Sequence, residues 1–202
     1  MRSSHLLLVC SVFLGSGCAE PDPDGAITGT PDTARDSDST PDVETVPPDS
    51  SADCTDEASV DFVVINEFVA QNAASATDEL GNSGDWLELY NGSTHTVSLL
   101  GWTLTDDLDN PDKHELGDLE LEPGGHLLLW ADGAPEAGDR HLSFRLDADG
   151  EELGLFDVDG QALTRLEFGI QELDVAAARA SDGSETWSYT EGTTPGEANT
   201  AR

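Results

Sequence analysis

The strongest constraint on this chain is its punctuation. From Val60 onward, short apolar or alternating runs ("DFVVINEFVA", "DWLELYN", "TVSLLGWTL", "GHLLLWA", "HLSFRL", "EELGLFD", "ALTRLEF", "VAAARA", "ETWSYT") are broken by Gly, Asp, Asn and Pro at roughly ten-residue intervals. Those lengths suit strands, and no long segment repeats its apolar residues with the period of a helix. Side chains of a strand alternate between two faces, so Leu153 and Leu155 share one face of "EELGLFD", and Leu166 and Phe168 share one face of "TRLEF". The pattern predicts an all-β sandwich or barrel, with one side of each strand buried and the other wet. Asp159-Gly160, between two of these runs, predicts a tight hairpin turn, because this dipeptide readily takes the positive φ angles such a turn needs.

The residues before Val60 do not share this texture. Residues 1–18 read as an export signal: a positive Arg2, an apolar run from Leu6 to Leu14, and small residues before Cys18. The run is too short to remain as a membrane span, which takes about 20 residues. Two processing routes are open. "LGSGC" resembles a bacterial lipobox, which predicts a lipid on Cys18, although Leu14 sits one place further out than the usual leucine. Cleavage after Ala19 also fits a small-x-small pattern and would release a secreted chain. Residues 19–59 are mostly Pro, Asp, Ser and Thr, with hardly any aliphatic and no aromatic side chains, so they cannot bury enough apolar area to offset the entropy of ordering. They predict a disordered acidic linker, about 35 Å from end to end as a random coil. A linker directly after Cys18 favours the lipid, since an anchored domain needs a stalk. Ala19-Glu20 lacks the aspartate that retains lipoproteins at an inner membrane, which points to the outer membrane or cell surface. The folded domain is expected over residues 60–202. Cys54 falls in the linker, so that domain has no internal disulfide and depends on its core.

The formal net charge is −34, and residues 60–202 hold 30 Asp plus Glu against 6 Lys plus Arg. Such a surface repels phosphate backbones, whose affinity for proteins comes largely from cations that displace counterions. No nucleic-acid partner is expected; cations, basic proteins and neutral surfaces are favoured.

"INEFVAQN", "DWLELYN", "LLGWTLTDDLDNPDKHEL", "EPGGHLLLWADG", "HLSFRLDADGEELGLFDVDG", "EFGIQELDVAAAR" and the closing "TPGEAN" resemble, in this order, the lamin tail domain of secreted bacterial proteins. The resemblance runs from about Val63 to Asn199. It implies an immunoglobulin-like β-sandwich, and a tethering or interaction module without catalytic residues. The chromatin role of animal lamin tails does not carry over to an exported, strongly anionic chain.

Site motifs are sparse. "WTLTDDLDNPDKHEL" gathers Asp106, Asp107, Asp109 and Asp112 in one loop. An EF-hand needs glycine at the sixth position and glutamate at the twelfth; counted from Asp107 these are Asp112 and Asp118. A looser Ca²⁺ site built from Asp106, Asp107 and Asp109 facing Asp85 or the "ATDELGNSGD" loop stays open beside the simpler reading of a solvated turn. "HELGD" from His114 begins like the H-E-x-x-H zinc pair, but Asp118 stands where the second histidine belongs. There is no G-x-S-x-G elbow and no P-loop. Trp86, Trp102, Trp130, Trp187, Tyr90 and Tyr189 are core candidates first and binding candidates second. The leading expectation is an exported, lipid-anchored, non-catalytic interaction module for a protein or cell-envelope component, joined to the membrane through Cys18. A Ca²⁺-binding structural or adhesive surface protein is the alternative, and a small exported hydrolase the second one.

Overall fold

The computed structural model describes residues 62–200. The expected signal, Cys18, the linker and Cys54 lie outside the described residues, which consequently contain no cysteine.

Within them the chain forms β1 (Val63–Val69), β2 (Trp86–Asn91), β3 (Val97–Ser98), β4 (Thr103–Thr105), β5 (His114–Glu115), β6 (Glu120–Leu121), β7 (His126–Trp130), β8 (Glu152–Phe156), β9 (Ala162–Glu167), β10 (Ala176–Arg179) and β11 (Trp187–Thr190), with a short 3-10 turn at Pro135–Ala137. One sheet runs β11-β10-β1-β2-β7 and the other β5-β4-β8-β9, while β3 and β6 pair by themselves; every pairing between strands is antiparallel. Phe68, Leu87, Leu89 and Leu129 from the first sheet meet Leu104, Leu153, Leu155 and Leu166 from the second in one buried cluster. Phe68 and Phe168 close the gap between the sheets with ring centroids 4.7 Å apart, and the Ile65 N–H donates to Thr164 Oγ1 at 3.2 Å. This is an immunoglobulin-like β-sandwich, one of the two all-β forms the alternation predicted and the one the resemblance implied.

Three local expectations need correction. "TVSLLGWTL" is two strands: Gly101 at φ 78 and the bond from Trp102 N–H to Leu99 O turn the chain, so that β3 pairs with β6 while β4 joins the second sheet. "HLSFRL" forms only isolated bridges, Trp130 with His141 and Asp132 with Arg145. Its alternation still buries Leu142, Phe144 and Leu146, because period two sorts side chains whether or not a full ladder forms. The third concerns the wet face. β9 follows the rule, but β1 and β10 are buried at every position.

The reason lies outside the strands. Val69, Trp86, Trp130 and Ala176 form a second apolar cluster against which Ala76 packs. Trp86 Nε1–H donates to Ser75 Oγ at 3.0 Å. The loop carrying Ala76 is held by Asp174, whose Oδ1 accepts the N–H groups of Ala73, Ala74 and Ser75 at 2.7, 2.9 and 3.2 Å. Beside it, the segment 194–199 covers the remaining polar stretch of the same sheet.

Candidate functional site

Two carboxylates lie where an apolar strand pair would be expected to carry aliphatic side chains. A bulge between Ile65 and Glu67 shifts the register of β1 so that Glu67 stands directly opposite Glu88 on β2. Both residues are fully buried. Segment 194–199 supplies their donors: Thr194 N–H and its hydroxyl bond Glu67, the latter at 2.7 Å, and Gly196 N–H bonds Glu88 Oε2 at 2.6 Å. Asn66 Nδ2 donates to Glu88 Oε1 at 3.2 Å and to Asp182 Oδ1 at 3.0 Å. Asn199 ties the segment down by donating from Nδ2 to the carbonyls of Asn66 and Arg179. Arg179, itself buried, donates from Nε to Ile65 O at 2.7 Å and stacks over Trp187 at 4.8 Å. Burial pushes Glu88 up to about 7; the bonds from Asn66 and Gly196 pull it down, and the charges of Glu67 and Asp182 push it further up.

A cleft of about 260 Å³ opens elsewhere, between residues 82–85 and Arg145, with Ala131 and Asp132 along one wall. Behind that wall His141 is buried between two acids, Nδ1 at 2.7 Å from Asp132 Oδ2 and Nε2 at 3.3 Å from Glu79 Oε1. Burial opposes its charge, but the bonds to Asp132 and Glu79, reinforced by their charges, outweigh it and raise the imidazole above its usual range. Asp85, in the cleft, takes Asn72 N–H on Oδ1 at 2.9 Å and is raised by its own burial. Gly133 lies under the Arg145 stem at φ 72; a Cβ there would come within 3.1 Å of Nε, so a glycine suits both the turn and the contact.

The acidic loop finds its counterion inside its own sequence. Lys113 Nζ pairs with Asp106 Oδ1. Asp107 Oδ1 accepts Asp109 N–H at 3.1 Å, and Thr105 Oγ1 accepts Asp107 N–H at 2.9 Å, which is ordinary turn chemistry. Glu151 stands near Asp106 and Asp147, and burial pushes it up to about 7, helped by both charges and opposed by the N–H of Asp147 and the charge of Lys113. Asp85 stands apart from this loop: its carboxylate accepts Asn72 N–H, its backbone carbonyl accepts Ala131 N–H, and it feels the charge of Arg145 without pairing with it. Among the described residues no three His, Cys, Asp or Glu side chains are grouped so as to hold a metal ion.

His114 and Glu115 lie in the two-residue strand β5, where a zinc pair of the H-E-x-x-H kind has no helix to align it; His114 Nδ1 accepts Ser143 N–H at 3.1 Å. Trp86, Trp102 and Trp130 are core residues, Trp187 is partly buried against Phe68, and Tyr189 is exposed. Glu67, Glu88 and Arg179 carry no recognised site motif. Their signal was present: ionised side chains inside runs otherwise rich in Val, Ile, Leu and Ala need partners if they are buried. Nothing local joined Glu79, Asp132, His141 and Arg145 to one another, since they belong to separate runs.

A family model described as Lamin Tail Domain matches residues 57–169. The match ends before β10, β11 and the segment that covers Glu67 and Glu88. No curated protein matches the chain.

Proposed function

The chain belongs to the lamin tail domain family, and from that premise we propose that it is an exported, non-catalytic interaction module, carried on a lipid at Cys18 and a flexible acidic linker, that docks on a protein or other component of the cell envelope. The observation that supports the non-catalytic reading is the commitment of the buried titratable groups. Glu67 and Glu88 accept hydrogen bonds from the fold, and both nitrogens of His141 face carboxylates, so none is free to take a proton from a substrate. No helix among the described residues is long and apolar enough to cross a membrane, so in this reading attachment falls to Cys18.

The full chain and its Cys18→Ser variant, followed by envelope fractionation and by incorporation of labelled fatty acid, test both halves. The expected result is a lipid on the parent chain, none on the variant, and a residual envelope-bound fraction of the variant that excess unlabelled variant displaces. A variant that becomes wholly soluble would remove the docking half. Unchanged retention with no lipid on either chain would remove the anchor.

A further inference from the structure

We propose that the cleft between residues 82–85 and Arg145 is a binding site for a small zwitterion of the α-amino-acid type, whose carboxylate sits on Arg145 and whose ammonium sits on Asp85. This site is independent of the tether and of the docking partner, and either reading can fail alone.

The first support is an arginine left without a partner in a very acidic protein. Residues 62–200 contain Lys113, Arg140, Arg145, Arg165 and Arg179 as their only Lys and Arg. Lys113 holds Asp106 and Arg179 is buried in backbone contacts, whereas the exposed Arg145 forms no ion pair within 4.0 Å among the described residues. Asp85 is near enough to feel the Arg145 charge yet does not touch it. Opposite charges that share a cleft without closing on each other leave room for a group between them.

The second support is the state of the acids. Asp132 is already engaged on both oxygens, by Ala134 N–H at 3.0 Å and by His141 at 2.7 Å. Asp85 uses only Oδ1, for Asn72, and its other oxygen makes no hydrogen bond among the described residues. The cleft therefore offers one acceptor, Asp85, and one forked donor, Arg145, a geometry suited to a bidentate carboxylate. The Ser83 hydroxyl, which also lines the cleft, is likewise without a hydrogen bond among the described residues.

Charge and size choose among ligands. A bare anion would enter against the field of a chain with net charge −34, and a bare cation would meet Arg145; a zwitterion answers both charges at no net cost to the field. At about 260 Å³ the cleft is smaller than the 300–1,000 Å³ typical of drug-sized pockets, and Asn82, Ser83, Asp85, Asp132 and Arg145 make its lining polar. His141 fastens one wall, since its bonds join Asp132 to Glu79 in the loop that leads into residues 82–85.

The test is a titration of the isotope-labelled full chain with L-alanine, acetate and methylammonium, read by calorimetry and by amide shifts. Alanine is expected to give saturable shifts at Ser83, Gly84 and the Arg145 Nε–H, with acetate and methylammonium each weaker by about tenfold or more. Arg145→Gln and Asp85→Asn should each weaken alanine about tenfold while leaving the melting temperature in place. Absence of saturable alanine shifts at Ser83 and Gly84 in the parent chain overturns the proposal whether or not the variants fold. Acetate binding as tightly as alanine, or alanine binding untouched by both substitutions, overturns it as well.

Discussion

Glu67 and Glu88 face each other across β1 and β2 with no exposure to solvent, and besides the adjacent Asn66 they take donors from Thr194 and Gly196, more than a hundred residues later in the chain. Two like charges in such a place are tolerable only while the covering segment stays down.

Stability should therefore fall as pH rises toward neutrality. Glu88 moves from 4.5 to about 7 on folding, so the folded state binds a proton that the unfolded chain releases. The stability gained is fully present below pH 4.5 and is lost by about pH 7, on the order of 3 kcal/mol at 1.36 kcal/mol per unit. Glu151 and His141 act in the same direction, the latter above pH 6.5. Asp78 and Asp174, lowered by hydrogen bonds from Asn82 and from Ala74 and Ala73, lose their contribution only as pH drops below 3.8. Urea unfolding at several pH values between 4.5 and 8 reads the slope, and Glu88→Gln should flatten it. A parent domain equally stable at both ends of that range would contradict this account of the pair.

His141 and His114 should titrate on opposite sides of 6.5. His141 is raised despite its burial because Asp132 and Glu79 hold its charged form, whereas burial alone lowers His114. Ring-proton shifts against pH separate them. His141→Phe should cost about 1–3 kcal/mol, the penalty for leaving the Asp132 oxygen without its donor.

Asn199 should matter more than its place near the chain end suggests. It bridges Asn66 O and Arg179 O through its side-chain amide and donates its N–H to Asp182. Asn199→Ala removes this donor from two carbonyls of buried residues and should destabilise by about 2–4 kcal/mol. Chemical denaturation gives the number; a loss below about 0.5 kcal/mol, the range of ordinary surface substitutions, would mean the segment does not hold the carboxylates in place.

Lys113 is the resident cation of the acidic loop. With Lys113 present, melting curves in Ca²⁺ and in EDTA are expected to coincide. Lys113→Met leaves Asp106 and its neighbour Glu151 uncompensated, and should lower stability by about 1 kcal/mol, a loss that millimolar Ca²⁺ then partly restores. A calcium-dependent melt of the parent domain would instead favour a metal role for Asp106, Asp107 and Asp109.

What could be read early was whatever depends on near neighbours. Leu153, Leu155, Leu166 and Phe168 proved buried as their alternation required. The hairpin turn formed at Asp159-Gly160, but only Gly160 takes a positive φ, 75; the bond from Gly160 N–H to Asp157 O places Val158 and Asp159 at the centre of the turn. "HLSFRL" was misjudged as a full strand because alternation reports which side chains are buried, not whether a neighbouring backbone is there to pair with them.

By itself the sequence determined the all-β class, the positions of the long strands and the extreme negative charge, since period-two patterning, turn residues and composition act within a few residues of each other. Only the tertiary structure decided that both faces of β1 are covered, that Glu67 meets Glu88 beneath segment 194–199, and that Asp85, Asp132 and Arg145 share a cleft. Those contacts depend on where distant parts of the chain return to the sheets, and register and loop path fix that return together with the demand that no buried charge be left without a partner.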